Sequence, residues 1–255
     1  MIRIILLGLI QGITEFLPIS SSGHLALLHH LFDYYPPLAF DVLAHLGSLG
    51  ALVLFFQKDI KKIIIGAWRE IRKRQIGQQW RLISLLALGS LPAIITGLFF
   101  RSLVEKIFTD LTLVGIGFLI TALLLFLGRM KIKHNSILNQ VIGVGVVQAL
   151  AILPGISRSG STISVGAILG MKKEEAFRFS FLLGMIAILG ATILQIPQIV
   201  DFNANQLMES FLAMGTAFLT GYFSLKFLKS VFLKNKLWYF SFYCLVLAGI
   251  CFVIG

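Results

Sequence analysis

The 255-residue chain is 57% hydrophobic and 13% charged, with a mean hydropathy of +0.92, which excludes an ordinary water-soluble domain. Its formal charge of +11 could suit nucleic acid, but the basic residues sit between apolar spans and are not interleaved with aromatics on one face, so no nucleic acid partner is expected. The short alternating strands of a lipid-facing barrel are missing too, which leaves an all-α polytopic protein forming a single membrane domain over 1–255.

Residues 1–35 begin like a signal peptide, with Arg3 ahead of an apolar run, but no small-residue cleavage site follows and Glu15 interrupts the run. The segment is expected to be retained and structural. A first crossing is expected at 39–56. The following polar stretch, 57–81, carries Lys58, Lys61, Lys62, Arg69, Arg72, Lys73, Arg74 and Arg81 against Asp59 and Glu70, and the positive-inside rule makes it cytoplasmic. Crossings are expected at 82–100 and 111–128, joined by an outward turn from Glu105 to Asp110, and the basic connection from Arg129 to His134 returns inside. Beyond the broken segment 138–172, Lys172 and Lys173 with Glu174 and Glu175 read as a solvated cytoplasmic turn. Further crossings are expected at 177–196, 211–228 and 237–255, with 201–209 outside and 229–236 inside. Cys244 and Cys251 lie two helical turns apart, about 10 Å, too far for a mutual disulfide.

The charge pattern thus asks for six crossings, and segments 1–35 and 138–172 must each leave from the side on which they entered. Both are expected to be re-entrant helical hairpins, the first from outside and the second from the cytoplasm. Non-helical backbone at that depth is tolerated only inside protein or beside a wet cavity, so the hairpins should line the working site. A constant offset places Gln11 on Gln148, Ser20-Ser21-Ser22-Gly23 on Ser157-Arg158-Ser159-Gly160, Phe40 on Phe177, and Leu46-Gly47 on Leu183-Gly184. Two repeats, 1–128 and 138–255, each with one hairpin and an odd number of crossings, would be inverted in the membrane, with both serine-rich turns converging.

Within the first hairpin Gln11 and Glu15 are one helical turn apart and share a face. A carboxylate near the membrane centre costs about 2.5–3.5 kcal/mol and needs a partner or a function. Pro18 ends that helix, and Ser20, Ser21 and Ser22 are placed to cap the next, whose N-terminus would face the gap. In the second hairpin Arg158 cannot lose its charge and suits a bidentate grip on carboxylate or phosphate, with Glu15 its expected partner in an empty site. His24 is a candidate general base or nucleophile; His29, His30 and His134 read as interfacial. No tight His/Cys metal spacing, Walker loop or dinucleotide fingerprint occurs, although magnesium or calcium could use one or two carboxylates and take its other oxygens from phosphates and water.

The stretch from Gln11 to His24 resembles the (E/Q)-x-x-x-E and P-x-S-S-(S/T)-G-H elements of the undecaprenyl-diphosphate phosphatases, the bacitracin-resistance phosphatases of bacterial envelopes. Gln148 to Thr162 is similar to that family's Q-x-x-A-x-x-P-G-x-S-R-S-G-x-T, and the likeness continues through Phe179-Ser180-Phe181-Leu182-Leu183. The chain carries Gln11 where many members carry Glu. The resemblance implies a multi-pass protein of the bacterial plasma membrane that removes the terminal phosphate from a C55 prenyl diphosphate lipid. That recycles the carrier for peptidoglycan synthesis and confers resistance to bacitracin. It implies catalytic roles for Glu15, Ser21, His24 and Arg158, with Ser21 attacking phosphorus or His24 activating it or a water. It further implies phosphate-holding hydroxyls at Ser20, Ser22, Ser157, Ser159 and Thr162, and a divalent cation, Mg2+ or Ca2+, with Gln11 and Glu15 as its ligands. The membrane phosphatidic-acid phosphatases share an S-G-H and a later S-R, but they expect a histidine several residues on, where this chain has Ile163 and no histidine nearby. Transport of a prenyl phosphate lipid through the same site is the competing class, and a homo-oligomer stays open.

Overall fold

The computed structural model describes residues 1–100, 106–130 and 136–255, so Glu105 and the connection through His134 lie outside the described residues. The described residues are helical with no strand. In chain order the helices are α1 (Ile2–Phe16), α2 (Ser21–Phe32), α3 (Leu38–Phe55), α4 (Gln57–Arg72), α5 (Gln78–Phe99) and α6 (Leu111–Leu127). They continue as α7 (Ile137–Leu150), α8 (Arg158–Ile168), α9 (Lys173–Val200), α10 (Ala204–Leu233) and, after a 3-10 turn at Leu237–Tyr239, α11 (Phe240–Ile254).

Among the described residues, Gln78–Phe99, Lys173–Val200, Ala204–Leu233 and Leu237–Ile254 are each long and apolar enough to cross a membrane. The bent pair Ala39–Phe55 and Gln57–Arg72 adds a fifth candidate. Leu111–Leu127, at 17 residues, is apolar but short. Lys173, Glu174 and Glu175, expected in a turn, open α9 instead, and a second element also differs from expectation. The basic stretch after Phe56 is no plain connection: it folds into α4, bent 73° away from α3. Its apolar residues recur at helical spacing among the cations, a period masked by counting charge alone.

The two broken segments are helix–turn–helix units, α1–α2 and α7–α8. Leu17 precedes Pro18 and takes an extended conformation, as the proline ring demands, so α1 stops at Phe16. Where α1 lies along α10, a Cβ on Gly8 would fall 1.9 Å from Thr216 Oγ1 and one on Gly12 2.4 Å from the Ala217 carbonyl. Lipid tails are as apolar as leucine, so association rests on such close backbone approach and on hydrogen bonds, here including Ser224 Oγ to the Ile13 carbonyl at 3.1 Å. The pairings cross between halves: α1 packs on α10 and α7 on α5, while α3 meets α9 and α6 meets α11. Phe16, Phe56, Phe177 and Phe181 form the aromatic centre, with ring centroids 4.6 to 6.1 Å apart. Exposed Phe223 and Val246 lie on helices of spanning character, where lipid replaces water.

Candidate active site

Both hairpin turns end in the same local device. Ser20 caps α2 by accepting from the Gly23 N–H at 3.2 Å, and Ser157 caps α8 by accepting from the Gly160 N–H at 3.1 Å. These are the very positions that the offset pairs. The turns then interlock reciprocally: a Cβ on Gly23 would sit 3.0 Å from Gly155 Cα, and one on Gly160 would sit 3.0 Å from Pro18 Cβ. Ser159 Oγ reaches back to the Leu17 carbonyl at 3.3 Å. Two helix N-termini, with their positive dipole ends, are thereby brought together inside the bundle.

Glu15 is the hub. Its Oε1 accepts from Arg158 Nη2 at 2.5 Å, and its Oε2 accepts from Ser21 Oγ at 2.5 Å and from Gln11 Nε2 at 3.1 Å. His45 Nε2 lies 3.3 Å from the same Oε2. The pairing of Glu15 with Arg158 is as expected, and it joins residues 143 positions apart. Arg158 lies against the bare backbone of Gly184, where a Cβ would fall 1.5 Å from Nη1. That nitrogen has no partner among the described residues; nor do Gln11 Oε1 or either side-chain amide atom of the buried Gln148. Native folds rarely leave such groups unmet, so they mark where a ligand oxygen or ordered water would bind.

The other expected site residues divide. Ser22 Oγ lies 3.2 Å from Ser20 Oγ, and Ser157 Oγ lies 3.4 Å from Ser159 Oγ. Thr162 Oγ1 is held by Ser180 Oγ at 2.5 Å and donates to the Arg158 carbonyl at 2.7 Å, so in this state it braces α8 against α9. His24 stands apart from the hub: one ring nitrogen is 2.7 Å from the Ser20 carbonyl, the other 2.9 Å from Tyr243 Oη, and the ring stacks on Tyr243. His29 is enclosed by protein. It is buried, with Nε2 3.4 Å from Asp41 Oδ1, because α3 brings that carboxylate beneath the end of α2. His30 is exposed, as expected.

Sequence reasoning missed His45, Ser48, Thr121 and Tyr243. Thr121 on α6 fixes the second turn, accepting from the Ser157 N–H and donating to the Gly155 carbonyl, both at 2.8 Å. Ser48 Oγ accepts from Gln11 Nε2 at 3.4 Å. None of the four lies in either serine-rich segment. His45 had one local signal, its spacing from Asp41, whose carbonyl accepts its Nδ1–H at 2.7 Å. Among the described residues no group of three or more His, Cys, Asp or Glu could hold a metal by itself.

A carboxylate, a serine hydroxyl and a guanidinium meet at two helix N-termini inside a bundle of membrane-spanning character, which places the protein among polytopic membrane proteins with a buried cluster of charged and hydroxyl side chains. Comparison with known proteins then gives the family. A family model described as bacitracin resistance protein BacA matches residues 4–250, and the chain belongs to that family. It is 41% identical to the undecaprenyl-diphosphatase of Carboxydothermus hydrogenoformans, over 95% of this chain and 93% of that one. It is 38% identical to the undecaprenyl-diphosphatase of Thermosipho africanus, over 98% and 99% of the two chains, and 38% identical to that of Desulfosudis oleivorans, over 98% and 97%.

Proposed function

We propose that this chain is an undecaprenyl-diphosphatase, a membrane hydrolase that splits undecaprenyl diphosphate into undecaprenyl phosphate and inorganic phosphate. The relatives named above carry that activity in their names over nearly their whole lengths. Return of the carrier to peptidoglycan synthesis and resistance to bacitracin follow from the family.

The observation that carries the mechanism is the hydrogen bond from Ser21 Oγ to Glu15 Oε2 at 2.5 Å, beside Arg158 on the other carboxylate oxygen. In our reading the diphosphate enters between the two turns and takes the Arg158 guanidinium, whose Nη1 has no partner among the described residues. Ser21 Oγ attacks the terminal phosphorus and passes its proton to Glu15. The bond from phosphorus to the bridging oxygen breaks, and its electron pair leaves with undecaprenyl phosphate. Glu15 gives that proton up to the departing bridging oxygen and is a carboxylate again; it then takes a proton from a water that attacks the phosphorus held on Ser21, the bond from phosphorus to Ser21 Oγ breaks, and Glu15 returns the proton to Oγ as inorganic phosphate leaves. Arg158 and the two helix N-termini offset the charge developing on the phosphoryl oxygens. Ser20, Ser22, Ser157, Ser159 and Thr162 line the turns as further hydroxyls for those oxygens once their present bonds exchange. His24, stacked on Tyr243, holds the α2 N-terminus and is the second candidate for the base.

A divalent cation, Mg2+ or Ca2+, fits the chain only as a partner of substrate: among the described residues Gln11 Oε1 is a buried acceptor without a partner and Glu15 is the single carboxylate of the hub. Those two residues would hold it, and it would neutralise phosphoryl charge. Transport of a prenyl phosphate needs binding without a nucleophile, and the Ser21–Glu15 dyad favours hydrolysis over it.

The topology we propose has six crossings, α3, α5, α6, α9, α10 and α11, with α1–α2 and α7–α8 as re-entrant hairpins from opposite faces of the bacterial plasma membrane. Support comes from the crossed pairing of α1 with α10 and α7 with α5, and from the matched caps at Ser20 and Ser157.

The purified protein in detergent, given undecaprenyl diphosphate, should release phosphate with Mg2+ or Ca2+ and much less with a chelator, whereas Arg158→Ala and Ser21→Ala should release none above background. A phosphoryl group on Ser21 should be trapped by acid quench and found by mass spectrometry. Phosphate release that survives in Ser21→Ala would remove the nucleophile from this scheme, and none from a folded wild type would overturn the enzyme.

A further inference from the structure

The helix that charge counting did not foresee, α4, presents three distinct faces. Ile60, Ile63 and Ala67, at i, i+3 and i+7, turn toward the bundle, with Ile60 and Ile63 packed on its core and Ala67 buried. Ile64, Trp68 and Ile71, at i, i+4 and i+7, are 63%, 57% and 51% exposed. Lys58, Lys62, Arg69 and Lys73 share a third face, and all are exposed. The 73° bend after α3 turns this helix across the direction of the crossing that precedes it. Such a helix, apolar along one edge and basic along the next, lies in a membrane surface with its apolar edge among the acyl chains. Arg72 stacks over Trp68 at 5.3 Å, the placement expected of a cation snorkelling from an aromatic anchor.

The basic face borders a cleft of about 700 Å³ between α4 and the start of α5, lined by Lys58, Lys61, Lys62, Arg69 and Lys73. The two carboxylates within reach are already spent. Asp59 pairs with Arg178 Nε at 2.7 Å, and Glu70 accepts from the backbone N–H groups of Gln79 and Trp80 at 3.1 and 3.0 Å. Among the described residues none of the cleft's lysines or Arg69 forms an ion pair with a carboxylate. The cleft, lined by these five cations and by Glu70, therefore carries an excess of positive charge beside an edge that seeks lipid.

We infer that this cleft is a binding site for the phosphate-bearing headgroup of an anionic phospholipid, whose acyl chains cover Ile64, Trp68 and Ile71. The occupant is a lipid rather than free phosphate because the charge and the exposed apolar edge are continuous on one helix, and only a molecule with both an anionic head and a greasy tail satisfies both. The site lies on a different helix from the Ser21–Glu15–Arg158 hub. The inference rests on the membrane-spanning reading of the chain and not on the phosphatase chemistry, so the two fail separately.

The test is native mass spectrometry of the full chain released from nanodiscs of phosphatidylcholine with and without phosphatidylglycerol. The wild type should retain phosphatidylglycerol at least several-fold over phosphatidylcholine. The variant Lys58→Gln/Lys62→Gln/Arg69→Gln/Lys73→Gln should lose that preference while keeping its phosphate release in phosphatidylcholine discs, which shows that it is folded. Arg69→Gln alone should lower the preference by less. In a Trp80→Phe/Trp238→Phe background, Trp68 fluorescence should be quenched by lipids brominated near the headgroup end of the acyl chain. Equal retention of the two lipids by wild type, or an undiminished preference in the fourfold variant, overturns the site. Millimolar inorganic phosphate competing away phosphatidylglycerol would make it a free-anion site, and two chains crosslinking through position 68 would make it a subunit interface; either result also overturns the proposal.

Discussion

The guanidinium of Arg158 keeps its place because position 184 has no side chain: a Cβ there would fall 1.5 Å from Nη1. Gly184→Ala should therefore push the guanidinium off Glu15 and lower kcat for phosphate release by about 100-fold, the scale of a 1 Å misplacement in a reacting constellation. The protein should still fold, since α9 tolerates alanine as a helix former; unchanged kcat would show that Arg158 works elsewhere. His45 holds the same carboxylate from the other side, anchored through Nδ1 to the Asp41 carbonyl and reaching Glu15 Oε2 with Nε2. Its Nε2 is a polar neighbour 3.3 Å from the reacting carboxylate, so His45→Ala should cost roughly 10-fold in kcat with KM little altered. His45→Gln, which retains an amide donor, should recover most of that loss. Equal damage in both variants would assign His45 to packing alone.

At the scale of elements, the turn between α4 and α5 depends on one exposed carboxylate. The backbone N–H of Trp80, followed by those of Gln79 and Gly77, holds the Glu70 carboxyl below the usual carboxylate range. A depressed folded pKa means that the cap's stabilising effect is present above the unfolded carboxylate pKa, about 4.3, and is lost as pH falls through the folded value. Protection factors of the Gln79 and Trp80 amides should therefore drop on acidification below that range, while the α9 amides keep theirs. In Glu70→Gln the same two amides should be less protected at neutral pH, and the acid step should vanish. An acid step that persists in Glu70→Gln would trace to another group. The analogous caps within the hairpins, Ser20 and Ser157, use neutral hydroxyls and have no such pH dependence.

Across the whole molecule, the proposed inverted halves require that the turn after α4 and the turn after α10 share one side of the membrane and that the α9–α10 turn lies on the other. Single cysteines at Gln75 and Asn235, both in turns, should be shielded from a membrane-impermeant maleimide added to intact spheroplasts, while one at Asn203 should be labelled. The native Cys244 and Cys251 are buried and should stay silent. Labelling of all three positions from outside would break the six-crossing topology.

Much of this was legible in the sequence, because the membrane makes composition and charge bind tightly to structure: an apolar run must become a helix, and a proline or serine cluster inside one must be a break. The helix–turn–helix units, the serine caps and the pairing of Glu15 with Arg158 were all expected from residue type and spacing. What the sequence could not supply was the company that distant helices bring. His45, Ser48 and Thr121 reach the site from α3 and α6, outside the motifs, and Gly184 matters only because α9 carries it beneath a guanidinium. His24 sits within the motif but was claimed by Tyr243, 219 positions away. α4 escaped for a different reason: its cations outweighed, in a charge count, an apolar period that helical geometry separates onto its own face. Residue chemistry by itself pointed to charged and hydroxyl side chains gathered between two broken segments, and the structure brings Glu15, Ser21 and Arg158 together there. Tertiary packing alone decided which hydroxyl faces the carboxylate, because a hydrogen bond depends on atoms within about 3 Å, and no spacing along the chain fixes that across helices.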